Sequence, residues 1–527
     1  MRTSTGVLKS FVALAFLAVL FISAGFVSCS SDSDGGETST TVSSITINGK
    51  HTVTTGSSIT LKAVPNVATS SDYAWIITDG AGCVTYEKSK TDSITLKGVK
   101  AGTVTVKVSV DEVSSDAFTV NVQEASSACN VISVSDIPVG YASIDTSKFA
   151  KSITVSTKKD LVNYAKKGGY VIYVKGMIDM SDGMLPTSGG GSTTALDSFV
   201  AENTSKSYTS YTAFRDAYAG QCSSSTDDKS SSSSATALSK SLWAMNKAYG
   251  DKIKLSPASN TAIIGLDSSS GIKGGTIQIS EKSNIVIRNL TIQDAYDPFP
   301  HHEKGDGFNA QWDGIAIQGD CSNIWIDHCT IKDTMKYVEV TTKNGKEKWQ
   351  TYDGLCDIKG SGEGITVSYC KFYNHDKTML IGSSDSEGNN SVRKVTLHHN
   401  YFLNCGQRLP MVRNTTIHIF NNYYDFESSA FYSSSYAVGV RKNAVIYAEN
   451  NYFGSGINYS FRNSDGKLYS IGNTDKSKNG CNSTVTGSSL FSSAVNAYDY
   501  SSVLESAADA KSTVESNAGV GVWTVRK

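Results

Sequence analysis

The stretch Asn284-Ile285-Val286-Ile287-Arg288-Asn289-Leu290-Thr291-Ile292 decides the fold, because five later segments align on it without gaps. These are residues 323–331, 364–372, 394–402, 416–424 and 444–453, the last one residue longer at its start. Each is a strand-like run, and each gives way to loop before the next. The position of Asn289 recurs as His328, Tyr369, His399, Asn421 and Asn450, and the shortest step, His399 to Asn421, is 22 residues. A strand-and-turn unit of about that length cannot bury its apolar side alone and stacks on its neighbours, which predicts a solenoid, here a parallel β-helix. Stacking sets like on like. The next position reads Leu290, Cys329, Cys370, Asn400, Asn422 and Asn451. The three asparagines are expected to form a ladder of amide hydrogen bonds between coils. Cys329 and Cys370 would then be small buried residues rather than bridges or ligands. A β-sandwich with coincidental spacing is the competing reading, and six aligned segments weigh against it.

Upstream, the same unit opens with a strand at Ile153-Thr154-Val155. A helix over 158–167 follows, capped by Ser156 or Thr157 and stopped by Gly168-Gly169, and then a strand over 170–174. Residues 184–240 are rich in Ser and Gly and read as an irregular surface insertion. Near the C-terminus a helix over 507–516 is expected to pack on the solenoid. Residues 43–123 carry short alternating runs, such as Ile59-Thr60-Leu61-Lys62-Ala63-Val64, punctuated by Gly56, Gly98 and Gly102. They predict a small β-sandwich with Trp75 in its core. It resembles a bacterial Ig-like domain of group 2, for which a spacer role is expected in preference to glycan binding. The tract 30–42 reads as a flexible tether and 124–135 as a linker, leaving 136–527 for the β-helix. The fold class is therefore all-β: a right-handed parallel β-helix preceded by a small Ig-like β-sandwich.

The N-terminus reads as processed. Arg2 and Lys9 flank an apolar run over 11–27 that ends in Ser28-Cys29, so residues 1–29 form a secretory signal. A cysteine at the cut resembles a bacterial lipoprotein site with Cys29 lipidated, although Phe26 stands where leucine is usual; an uncleaved membrane anchor is the alternative. Ser30-Ser31-Asp32-Ser33-Asp34 resembles the tethers of surface-exposed lipoproteins in some Gram-negative bacteria. The expected location is the outer membrane or cell surface, with membrane contact only through the anchor, and a monomer is expected. The net charge of −1 argues against nucleic acid as a partner. The cysteines besides Cys29 lack the spacing of a disulfide framework or a zinc site.

Coil stacking gathers polar residues in one region. Asp313 precedes the second coil, and Asp353 and Asp357 precede the third, in Tyr352-Asp353-Gly354-Leu355-Cys356-Asp357-Ile358-Lys359-Gly360. Residues four apart on a strand share a face, and a neighbouring coil lies roughly 5 Å away. Three carboxylates so close repel unless a cation neutralises them, and a hard dication with oxygen ligands, calcium above all, fits. The alternative is three separately solvated carboxylates. Lys377, Arg408 and Arg413 follow on later coils, so the region suits a polyanionic substrate.

Four ordered motifs make the resemblance specific: Trp325-Ile326-Asp327-His328, the Asp353/Asp357 pair, His375-Asp376-Lys377-Thr378-Met379-Leu380, and Arg408-Leu409-Pro410-Met411-Val412-Arg413. Over residues 140–521 the chain resembles pectate lyases of polysaccharide lyase family 1. That resemblance implies calcium ligands at Asp313, Asp353 and Asp357, a catalytic base at Arg408, and substrate-carboxylate holders at Lys377 and Arg413. It implies polygalacturonate as the substrate, cleaved by β-elimination to 4,5-unsaturated oligogalacturonides. Gln311 stands where the family has one more carboxylate. An arginine base sits oddly with a reference pKa above ~12, so crowding by cations is expected to lower it and activity to favour alkaline pH. Asp327-His328 reads as structural, and Asp306, in the loop over 297–307, is a candidate for another ion. The rival functions are a polygalacturonase-type hydrolase, which needs a carboxylate pair flanking a water, and a non-catalytic pectin-binding β-helix.

Overall fold

The computed structural model describes residues 41–56, 58–123, 131–228, 235–360, 362–387, 393–428, 431–463, 465–487 and 498–527. Cys29, its apolar run and residues 30–40 of the tether lie outside them. The chain divides into two compact units, Met1–Ser127 and Ala128–Lys527.

In the first unit, alternation drives two sheets together. One has the order Ile45–Asn48, Ser58–Pro65, Ser93–Gly98, Val84–Tyr86; the other runs Thr52–Thr54, Phe118–Gln123, Gly102–Val110, Ala74–Asp79. Leu61, Leu96, Val104, Val106 and Val120 are enclosed between them. Trp75 is buried in the same core, its indole N–H donating to Thr91 O at 3.0 Å. The expected sandwich is present.

The second unit is a parallel β-helix. Among the described residues its coils build sheets of 11, 9 and 8 strands, each in chain order and parallel throughout. Ile285, Ile324, Ile365, Val395, Ile417 and Ile446 are successive Cα partners, the register that the sequence repeat predicts. Their side chains fill the single long core together with the stacked rings of Phe372, Phe402, Tyr424 and Phe453, whose centroids lie 4.7–5.0 Å apart. The column from Asn289 to Asn450 occupies the corner between two sheets, and all six residues have φ between 48° and 54°. Left-handed backbone costs about 1 kcal/mol for a non-glycine residue. At three of these corners stacking offsets it: Tyr369 lies 4.9 Å from the His328 ring and 4.6 Å from His399, nearly parallel to both.

The asparagine ladder forms and extends one rung beyond expectation, to Asn473. Asn400 N and Nδ2 both donate to Asn422 Oδ1, at 3.0 and 2.9 Å, and Asn422 repeats the pattern on Asn451. Asn422 Nδ2 also reaches Leu397 O at 2.9 Å. Cys370 N donates to Asn400 Oδ1 and Cys329 N to Cys370 Sγ, so both thiols continue the column unbridged. Truncation at Asn422 strands the buried donors Asn400 N and Nδ2 and takes a donor from Asn451 Oδ1 and Leu397 O, at about 1–3 kcal/mol for each group left unsatisfied. Asn422→Ala is therefore expected to lower unfolding free energy by about 3 kcal/mol or more. Denaturant titration checks it, with Asn473→Ala at the open end costing clearly less.

Asp327-His328 is structural, as expected. Asp327 is buried between Arg288, at 2.8 Å, His328 Nδ1, at 2.7 Å, and Ser368 Oγ, at 2.6 Å. Burial works against its charge, yet His328 and Arg288 hold its carboxyl below the ordinary range. The helices Lys158–Ala165, capped by Thr157, and Ala507–Asn517 also stand where expected.

The insertion differs from the expectation of irregular structure. It contains helices Thr194–Asn203 and Tyr211–Gln221 and the start of Ala237–Ile253, capped by the side chains of Thr193, Ser210 and Thr236. Leu196, Phe199 and Val200, then Tyr211, Phe214 and Tyr218, recur at helical spacing inside a serine-rich composition. They form a second core with Phe299, Phe308, Trp312 and Trp349. Gly250 lets the third helix lie directly on the Trp312 ring, where any Cβ would collide.

Candidate active site

The strands Ile315–Gln318, Cys356–Ile358, Leu380–Ile381 and Met411–Val412 are successive neighbours in the eight-stranded sheet. Their lead-in segments are joined as well. Gly314 N donates to Gly354 O at 2.9 Å, Leu355 N to Thr378 O at 2.9 Å, and Met379 N to Arg408 O at 2.8 Å. Asp313, Asp353-Gly354, Lys377-Thr378 and Arg408 thus form a row across four coils, about 4.8 Å per step.

Asp313 and Asp357 converge. Both are 2% exposed, and a Cβ on Gly354 would collide with a carboxylate oxygen of each. Asp313 Oδ1 accepts from Gly354 N at 2.9 Å, and Asp357 Oδ1 from Leu380 N at 2.9 Å. Their remaining oxygens share one cation, the Lys359 ammonium, at 3.2 and 3.0 Å. Burial, then Asp357 and Asp353, push the Asp313 carboxyl well above the ordinary range; burial likewise raises Asp357, against the pull of Lys359. Burial opposes the charge of Lys359, but the three aspartates outweigh it and raise its pKa. Sequence reading assigned Lys359 no role. Its signal was there: it lies two residues after Asp357 and so on the same face.

Asp353 departs from the expected geometry. It precedes strand Cys356–Ile358, so strand alternation does not govern it. Its carboxylate is 21% exposed and lies 3.4 Å from the Lys377 ammonium. Among the described residues no three acidic, imidazole or thiol groups stand gathered around a metal position. The donor set nonetheless fits a hard cation. It offers oxygen atoms only, and Asp313 and Asp357 already straddle a positive charge.

The basic residues divide. Lys377, only 8% exposed, donates to Asn309 Oδ1 at 2.6 Å. Arg408 has φ 60°, and its Nε is buried without a hydrogen-bond partner. Strained, non-glycine backbone persists where the surroundings impose it, often at functional positions. Arg413 points elsewhere, pairing with the exposed Asp385 at 2.8 Å. His375, also missed, sits between Asp333 Oδ2, at 2.6 Å, and the backbone oxygen of Asp353, at 2.7 Å. Burial disfavours its charge, but Asp333 outweighs it and raises the ring's pKa, and the ring ties Asp333 to the Asp353 main chain. Gln311 donates its backbone N–H to Asp297, whose carboxyl burial pushes up to about 7. Asp306 stands in the turn of the hairpin His301–Glu303/Gly307–Asn309 and is exposed.

Residues 187–523 match the family model described as pectate lyase. The pectate lyase of Bacillus subtilis is 42% identical over 198 residues, which cover 36% of this chain and 47% of that protein. The chain spans about half the length of the curated relatives it matches. A solved pectate lyase bound to a hexasaccharide is 27% identical, with a TM-score of 0.54 over 73% of this chain and 94% of that one. The pectate lyase structure from Acidovorax avenae subsp. citrulli, 23% identical, shares the fold with a TM-score of 0.61 over 74% of this chain and 96% of that one.

Proposed function

This chain belongs to the pectate lyase family, and from that premise we propose that it is a calcium-dependent lyase cleaving de-esterified polygalacturonate by β-elimination. The observation that carries the reading is the row of Asp313, Asp353-Asp357, Lys377 and Arg408 across four hydrogen-bonded coils. Asp313 and Asp357, released from Lys359, and Asp353, released from Lys377, would hold calcium. Bound there, the ion would draw charge from the substrate carboxylate and acidify the proton on C5.

The chain's own residues supply the rest. Lys377 places a positive charge beside that carboxylate as enolate-like charge develops. Arg413 would join it only by leaving Asp385. Arg408 removes the C5 proton, the freed electron pair forms the C4–C5 double bond, and the C4–oxygen bond breaks. The leaving oxygen takes a proton from solvent. The product is a 4,5-unsaturated oligogalacturonide. Export with lipidation at Cys29 is part of the same proposal, since it would bring the enzyme to an extracellular polymer.

The test is ultraviolet absorbance on polygalacturonate. Absorbance is expected to rise, to stop on addition of a chelator, and to resume when calcium is restored. New reducing ends without absorbance would mean hydrolysis and would end the reading.

A further inference from the structure

We propose that Asn309 is a positioning residue that holds Lys377 ready for a uronate carboxylate, and that the helical insertion exists in part to support it. The inference rests on the reading of Lys377 given above. Lys377 has two acceptors, and the shorter contact, 2.6 Å against 3.4 Å, is to the neutral amide of Asn309 rather than to Asp353. A neutral acceptor orients an ammonium without cancelling its charge, so the charge stays available to an anionic sugar.

The amide is itself oriented. Asn309 Nδ2 donates across the hairpin to Glu303 Oε1 at 3.3 Å, and that oxygen lies 2.7 Å from Nε2 of His301, the Cα partner of Asn309. An ionised carboxylate only accepts, so Glu303 can engage only the NH2 side and leaves Oδ1 facing Lys377. The hairpin is pinned by the insertion in turn. His302 N donates to the Tyr218 hydroxyl at 3.1 Å, His302 O accepts from Asp228 N at 2.8 Å, and His302 Nδ1 faces Thr226 O at 2.9 Å. Beneath it the Phe308 ring packs 4.7 Å from Trp349 and 6.1 Å from Tyr218.

The experiment compares N309A and N309D with wild type on polygalacturonate in calcium, with thermal unfolding of each. Loss of one hydrogen bond to a charged group is worth about tenfold or more. N309A is expected to raise KM about tenfold with a smaller fall in kcat. Asp is isosteric, but its carboxylate would tie up Lys377 and would face Glu303 Oε1 with no donor between them, so N309D is expected to raise KM further and to lower the unfolding midpoint. A residue that merely stabilised the hairpin would lower the unfolding midpoint of both variants and leave KM near that of wild type. KM within twofold of wild type for N309D overturns the inference. Wild type devoid of eliminase turnover would instead overturn the lyase reading itself, a separate outcome.

Discussion

Arg408→Lys is expected to lower kcat on polygalacturonate by about a thousandfold, with KM within a few-fold of wild type. A positioned base contributes about 10² to 10⁴ in rate, and a thousandfold corresponds to about 4 kcal/mol of barrier. Lysine, like arginine, is cationic when protonated and a base only when it is not, so the attraction of the protonated form for a polyanion survives, and that is why KM should hardly move. What it loses is the planar fork of donors and the reach of the guanidinium. The backbone at this position is set by neighbours, since Arg408 O accepts from Met379 N and Leu409 N donates to Ala437 O. The side chain can therefore change while the coil stays. The measurement is steady-state kinetics with calcium present, alongside thermal unfolding to show an unchanged fold. Turnover within tenfold of wild type would remove Arg408 from the chemistry, whatever its place in the row.

How far the sequence was legible follows from where the determinants lie. The coil register could be read because each segment repeats locally, and Ile285 meeting Ile324 and Ile365 needs nothing beyond the repeat. The asparagine ladder followed from the same alignment. The helices of the insertion were hidden because serine-rich composition outweighed a short apolar period, and their partners, Phe299, Phe308 and Trp349, lie well downstream in the chain. At the site, the row of charged residues was legible from order along the coils, but side-chain pairing was not. Asp353 lies outside the strand whose alternation was invoked, and Arg413 turns to Asp385 on an adjacent loop. Asn309 reaches Lys377 from 68 residues away, through a hairpin that no local pattern ties to the lysine.

Asp313→Asn should separate stability from activity. Asp313 is buried against Asp357, and its carboxyl is pushed up, which means that the surroundings disfavour its charged form at neutral pH. The sign follows from linkage: a carboxyl raised in the folded state makes stability fall as pH climbs from its unfolded value through its folded one. Removing the charge therefore stabilises the calcium-free protein at neutral pH, by about 1 kcal/mol. Two contacts survive the change. The amide oxygen can still accept from Gly354 N, and Lys359 keeps Asp357 at 3.0 Å. The loss of Lys359's second partner reduces the gain, but the relief of burial and of two like charges is the larger effect. Activity should move the other way. With one of the oxygen donors neutralised, eliminase turnover at micromolar calcium is expected to drop about a thousandfold. Calcium should also raise the unfolding midpoint of wild type, by preferential binding to the folded state, and leave that of Asp313→Asn nearly unchanged. A wild-type midpoint indifferent to calcium, or a variant that still responds to it fully, would place the cation away from Asp313 and take the row of aspartates out of the mechanism.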